Sequence, residues 1–208
     1  MPSVGDGDTT NPPPDCSKVL VTERLAPHHD RKSFTCGRQE VDDFLYHLDP
    51  QGPQSYLWDW TYVCVPIAGS PDIIAYYTLA PDPAVLLEIP AEDEVETETI
   101  VLKYLGVGVH YQKQGVGEDI LLSLMEQIVA ASAIHPTVSA LMLYALDDRA
   151  MQWYLSRDFG FQQVGSGAPY LILPVATMKD ALVVNADEAN DTNAPENASG
   201  QIDQVHSE

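Results

Sequence analysis

Residues 99–131 read TIVLKYLGVGVHYQKQGVGEDILLSLMEQIVAA, and their pattern changes period part-way. Ile100, Val101, Leu102, Leu105, Val107 and Val109 make an apolar, largely β-branched run, the composition of a strand, broken by Gly106 and Gly108. A polar turn follows, Gln112-Lys113-Gln114-Gly115-Val116-Gly117. Beyond it Ile120, Leu121, Leu124, Met125, Ile128 and Val129 recur at three-and-four spacing, which predicts an amphipathic helix. Strand, glycine turn, helix is an arrangement suited to phosphate. The first N–H groups of a helix lack internal acceptors, and the helix dipole adds partial positive charge there. Gly115 and Gly117 remove side chains that would hold an anion off the backbone. Neither G-x-G-x-x-G nor G-x-x-x-x-G-K-[ST] is present, so neither the dinucleotide nor the Walker phosphate loop is indicated.

Working outward, the chain of 208 residues suits one domain with a substantial core. Residues 1–16 are rich in Gly, Pro and Asp and are expected to form a disordered head, with the domain spanning 17–181. The Asn-, Asp- and Ala-rich residues 182–208 are expected to form a disordered tail. Lys18–Leu25 reads as an edge strand. Val41, Phe44, Leu45 and Leu48 give one face of a helix starting near Thr35 or Gly37 and stopped by Pro50, Gly52 and Pro53. Tyr62–Ile67 and Ile73–Leu79 read as a hairpin turning at Gly69–Asp72, with Pro81 and Pro83 beyond it and a solvated acidic loop over Glu88–Glu98. His135-Pro136 ends the central helix. A strand over Val138–Ala145, a helix over Asp148–Ser156 capped by Asp147 or Asp148, and a strand over Tyr170–Val175 complete the pattern. The expected class is α/β or α+β, a mixed and mostly antiparallel sheet with helices on both faces.

The charge is strongly acidic: 31 Asp and Glu against 10 Lys and Arg, a formal net charge of −21. Such a balance repels bulk nucleic acid, whose non-specific binding is largely cationic neutralisation of phosphate. It suits a salt-rich cytoplasm, where screening shortens to about 3 Å at 1 M salt; an acidic partner-binding surface would produce it equally. Cys16, Cys36 and Cys64 are odd in number and lack metal-ligand spacing, so no metal site is expected. No basic-plus-apolar leader and no run of about 20 apolar residues occurs, so a cytoplasmic protein with no membrane association is the expectation.

The hexapeptide Gln112–Gly117 fits Q/R-x-x-G-x-G/A, and with its flanking strand and helix it resembles the GNAT superfamily of acyl-CoA N-acyltransferases. A second stretch, LYALDDRAMQWYLSRDFGF over 143–161, is similar to the late GNAT region that carries Ala150, the Trp153-Tyr154 pair and Gly160-Phe161. Tyr76-Tyr77-Thr78-Leu79-Ala80, Phe34-Thr35-Cys36-Gly37 and Leu173-Pro174-Val175-Ala176-Thr177 further resemble the GNAT toxins of toxin–antitoxin pairs. The resemblance covers roughly residues 20–178. It implies a sheet that splays at its central strand, with coenzyme admitted between the fourth and fifth strands. It implies acetyl-CoA as co-substrate, held by Leu105, Gly106 and Val107 on the strand and by Lys113, Gln114, Gly115, Val116 and Gly117 in the turn. It also assigns Tyr154 the role of the acid that protonates the leaving sulfur.

The chemistry needs these roles whatever the family. An amine attacking a thioester loses a proton, the oxyanion needs a donor, and the thiolate benefits from an acid. A backbone N–H near Val107 is the expected oxyanion donor. From the residues alone Tyr154 is either that acid or a core tyrosine beside Trp153 and Phe161; Lys113 either neutralises a phosphate or is an exposed turn lysine. His110 is a weak candidate base at a strand end, and Asp147, Asp148 and Glu118 read as helix-terminus residues. Toxins of this kind acetylate the amine of aminoacyl-tRNA and are held by a ribbon-helix-helix antitoxin. Against that substrate, Tyr104 stands where the toxin pattern usually shows arginine, Gly106 replaces the usual alanine, Trp60 replaces a basic residue, and His47–Thr61 holds no Lys or Arg. Three readings follow: an acetyltransferase acting on a small amine, a peptide amine or aminoacyl-tRNA, a true tRNA-acetylating toxin held by its antitoxin, or a non-catalytic GNAT-fold interaction module. A homodimer is compatible with each.

Overall fold

The computed structural model describes residues 20–81, 98–165 and 167–191. The expected disordered head, most of the acidic loop Glu88–Glu98, and the part of the expected tail beyond Asp191 lie outside the described residues. Seven strands and four helices follow in chain order: β1 Val21–Arg24, α1 Gln39–His47, β2 Thr61–Val65, β3 Ala75–Pro81, β4 Glu98–Val107, α2 Val116–Ile134, β5 Val138–Tyr144, α3 Asp148–Leu155, β6 Gln162–Gln163, β7 Tyr170–Pro174 and α4 Val175–Asp191. The strands form one sheet in the order β1-β2-β3-β4-β5-β7-β6. Every pairing is antiparallel except β4 with β5.

Alternation along the strands sends side chains to two separate cores. On one face Tyr77, Leu102, Leu141, Leu143, Leu171 and Leu173 pack under α2 and α4, meeting Leu121, Leu124, Met125 and Met178. On the other, Val63, Val65, Tyr76 and Ala80 pack under α1 with Phe34, Val41, Phe44 and Leu45. Helices therefore cover both faces, as the pattern predicts. Tyr76 is fully buried and its hydroxyl donates to the Val41 carbonyl at 2.6 Å, which pins α1 to the sheet. Helix α1 has no side-chain cap at Arg38; instead Asp42 reaches back to accept from the Cys36 N–H at 2.7 Å and the Thr35 hydroxyl at 2.8 Å.

The chain past Ala181 differs from the expectation drawn from composition. Helix α4 continues from Val175 to Asp191 and packs against α2, so docking of Met178 and Ala181 on the core extends helix into residues whose composition alone reads as irregular. The two-residue strand β6 was also not expected; it is set only by pairing with β7. Among the described residues no helix is long and apolar enough to cross a membrane.

Candidate active site at the parted strands

The site begins with an incomplete pairing. Strand β4 pairs with β3 as far as Val107, but its parallel pairing with β5 stops at Leu102 opposite Leu143. From Lys103 to Val107 the β5 side of β4 is therefore open. The Gly108 N–H donates to the Ile74 carbonyl at 2.9 Å, and Ala75 lies opposite Val107. Alternation along an antiparallel ladder then turns the backbone groups of Gly106 toward β3 and those of Leu105 and Val107 toward the gap. Leu105 and Val107 line a cleft of about 830 Å³ that opens there, and Gly106 does not.

Gly106 thus departs from its expected role as a coenzyme contact. It is a packing glycine: a Cβ there would stand 2.9 Å from the Tyr76 ring, 3.0 Å from Val41 and 3.2 Å from Phe34. Tyr104, at the position where arginine is usual in toxins, stacks on Phe44 with ring centroids 3.9 Å apart.

Past β4 the chain makes a single 3₁₀ turn, Val109–Tyr111, then the glycine turn. Both side-chain hydrogens of Gln112 are used, donating to the Cys36 carbonyl at 2.8 Å and the Val107 carbonyl at 2.9 Å. This fastens the end of β4 to the loop before α1. Lys113 (φ 62°) and Gly115 (φ 85°) both take left-handed backbone, the alternation that turns successive N–H groups toward one point. The amide hydrogens of Lys113 through Gly117 find no acceptor among the described residues, whereas Glu118 and Asp119 both donate to Gly115. Gly117 lies under Trp153, whose indole would stand 3.4 Å from any Cβ there. Lys113, Gly115, Val116 and Gly117 line the cleft; the Gln114 side chain turns away and donates to the His110 carbonyl at 2.8 Å, leaving only its backbone in the turn. His110 is exposed and lies outside the cleft.

The opposite wall is α3. Asp147, one of the two caps the sequence allows, caps it, accepting from the Ala150 N–H at 2.7 Å. Tyr154 is half-buried between Trp153 and Phe161, with ring centroids 4.9 and 5.5 Å away in edge-on geometry. It is both core-packed and cleft-lining, so the two readings of this residue are not exclusive. It borders the main cleft and also a smaller hollow of about 120 Å³ shared with Lys103, Tyr104, Tyr144 and Leu146. Burial pushes its phenol well above the ordinary tyrosine value, so the proton is retained at neutral pH. Its hydroxyl has no hydrogen-bond partner among the described residues.

Charge converges on this cleft. Arg38, Lys113, Arg149 and Arg157 all line it, four of the ten basic residues of the chain, beside one acid among the described residues, Glu118. Arg38 pairs with Asp147 at 2.5 Å and Arg157 with Glu118 at 2.7 Å. In a chain of net charge −21 this is a concentrated basic site. The sequence signal for it was available in part: Arg149, Trp153 and Arg157 are four residues apart, one helical face. Arg38 is brought in only by the fold.

The protein resembles solved structures. A tyrosine-to-phenylalanine variant of KacT superposes with a TM-score of 0.63 at 25% identity, covering 77% of this chain and 98% of that one. AtaT complexed with acetyl-methionyl-tRNAfMet matches with a TM-score of 0.63 at 23% identity, over 77% of this chain and 98% of that one. A third structure, an AtaT variant toxin bound to the C-terminus of the antitoxin AtaR and acetyl-CoA, gives 0.60 at 23% identity, over 77% and 96%. The chain has the GNAT fold. Its similarity is to GNAT toxins, and the parted β4 and β5 are the splay expected of GNAT proteins. No protein-family model and no curated protein matches the sequence.

Among the described residues, one metal-type cluster lies away from this cleft. Glu23, His28 and His29 bring ligand atoms within 4.8 Å of one another. The buried His29 accepts from the Ala26 N–H at Nδ1 (2.9 Å), so its hydrogen is on Nε2 and is donated to Glu23 at 2.8 Å. Both ring nitrogens are thereby used, and the cluster reads as a hydrogen-bonded clasp of β1 to its following turn.

Proposed function

We propose that this protein is an acetyl-CoA-dependent N-acetyltransferase of the toxin-like GNAT branch, acting by direct attack of a primary amine on the thioester. The observation that carries the reading is the gap beside Leu105 and Val107, ending in the unpaired amides of Lys113–Gly117 and ringed by four cations. The diphosphate of the coenzyme sits on those amides, with Lys113 adding charge. The pantetheine arm runs along the open edge of β4, bonding the Leu105 and Val107 backbone as a further strand would. The Val107 N–H receives the developing oxyanion.

In the reaction the amine nitrogen bonds the carbonyl carbon, the carbon–sulfur bond breaks, and the Tyr154 hydroxyl supplies a proton to the departing thiolate. The proton lost by the amine passes to water, so no side-chain base is required. Tyr154 is then reprotonated from solvent. The high proton affinity of its buried phenol keeps the acid form present before each turnover.

A second reading takes aminoacyl-tRNA as the acceptor and a ribbon-helix-helix antitoxin as the partner. It is favoured by the basic ring of the cleft and by the tRNA-bound and antitoxin-bound AtaT structures. Release of free thiol from acetyl-CoA over a panel of small amines, peptide amines and charged tRNA tests both readings. Turnover with any amine supports the acetyltransferase, and turnover with charged tRNA alone selects the toxin. Coenzyme binding without turnover on any acceptor counts for a non-catalytic module.

A further inference from the structure

We propose that Arg157 is a specificity residue that reads the 3′-phosphate of the coenzyme; this rests on the acyl-CoA reading of the cleft. Coenzyme A carries two separate anionic groups, a 5′-diphosphate and a 3′-phosphate on the same ribose. The amides of Lys113–Gly117 suit the first, and a second group of about two negative charges needs its own partner outside the turn. Three guanidinium groups line the cleft beyond the turn. Arg38 stands with Asp147 at the parted strands, on the acyl side of the cleft in this reading. Arg149 lies in the first turn of α3 and Arg157 just past its end, so the two mark opposite ends of the helix. Gly117 lies under Trp153, and Glu118 pairs with Arg157, so the amide turn faces the Arg157 end of α3.

Arg157 is also held ready. Its guanidinium lies 5.7 Å from the Trp153 ring centroid and 2.7 Å from Glu118 Oε1. One carboxylate oxygen engages only part of a five-donor fork, which leaves N–H groups for a phosphate. The pairing resolves an oddity of the site, since Glu118 is the one acid among the described residues that line the cleft and would repel phosphate if unpaired. Glu118 therefore acts as a positioning residue, aiming Arg157 at the ribose end of the coenzyme.

The test is titration calorimetry of the full chain with acetyl-CoA and with 3′-dephospho-acetyl-CoA. Charge-assisted hydrogen bonds imply a preference of about tenfold or more for the phosphorylated coenzyme in the wild type. In R157A that ratio should fall toward one. R157K, which keeps the charge and loses the fork, should give an intermediate ratio, and R149A should leave it unchanged. Equal affinities in the wild type, a ratio that survives R157A in a chain folded by circular dichroism, or a ratio abolished by R149A overturns the assignment. A wild-type chain that takes up neither coenzyme overturns the acyl-CoA reading itself, and this assignment with it.

Discussion

Arg38 Nη2 stands 2.5 Å from Asp147 Oδ2, bridging the gap where β4 and β5 part. Each partner is anchored on its own side. The loop before Arg38 is tied to the end of β4 by the Val109 N–H on the Thr35 carbonyl and by Gln112 on Cys36. Asp147 follows β5 and caps the helix carrying Tyr154. The pair therefore links the β4 side of the gap to the helix that carries Tyr154.

The Ala150 N–H, and after it Arg38, hold the Asp147 carboxyl below the usual carboxylate value. A group whose folded pKa is depressed contributes stability above its unfolded pKa, near 3.9 for aspartate, and loses it as pH falls through the folded value. Asp147→Asn keeps an N-cap and loses the charge pair. Melting midpoints should thus be lower for the variant at pH 7 and should converge with the wild type as pH falls below about 4. A gap between the two that is constant with pH contradicts this role.

Tyr154→Phe removes the proposed acid and keeps the ring that packs between Trp153 and Phe161. Turnover should fall by roughly 10²- to 10⁴-fold, with coenzyme affinity within about twofold of wild type because the phenol bonds no phosphate. In the wild type, the raised phenol value places any alkaline loss of activity above the ordinary tyrosine range, near pH 10. Unchanged turnover in the variant removes Tyr154 from the mechanism.

Gly117→Glu puts bulk 3.4 Å from Trp153 and a carboxylate beside the unpaired amides. Coenzyme binding should be lost in calorimetry while the chain remains folded by circular dichroism. Wild-type affinity in this variant would show that the turn holds no diphosphate.

Gly106→Ala tests the packing role. Its methyl group would press on Tyr76, Val41 and Phe34 in the second core. Overpacking of this kind costs about 1–3 kcal/mol, and denaturant titration should find a loss in that range. The variant's affinity for acetyl-CoA should persist, since its backbone faces β3. Full stability with lost affinity would return Gly106 to the binding surface.

What could be read from the sequence follows from which interactions are local. The β4–turn–α2 unit was legible because its apolar period changes from irregular strand to three-and-four helix across a glycine turn. The Asp147 cap was legible because capping acts within three residues. Which β4 residues face the gap was not, because that depends on the register of β4 against β3, set by residues about 30 positions apart. The same holds for Arg38, which reaches the cleft only through packing of α1 on the sheet. The continuation of α4 past Ala181 depends on docking against α2, a contact that composition does not encode. The count of ten basic residues was visible; the convergence of four of them on the cleft was a property of the fold.

A crystal structure of the chain with acetyl-CoA bears on every role assigned above. Diphosphate oxygens should lie on the amides of Lys113–Gly117, pantetheine on the Leu105 and Val107 backbone, and the thioester sulfur within hydrogen-bond reach of the Tyr154 hydroxyl. A coenzyme bound anywhere else on the protein, or one whose phosphates avoid that turn, would contradict it.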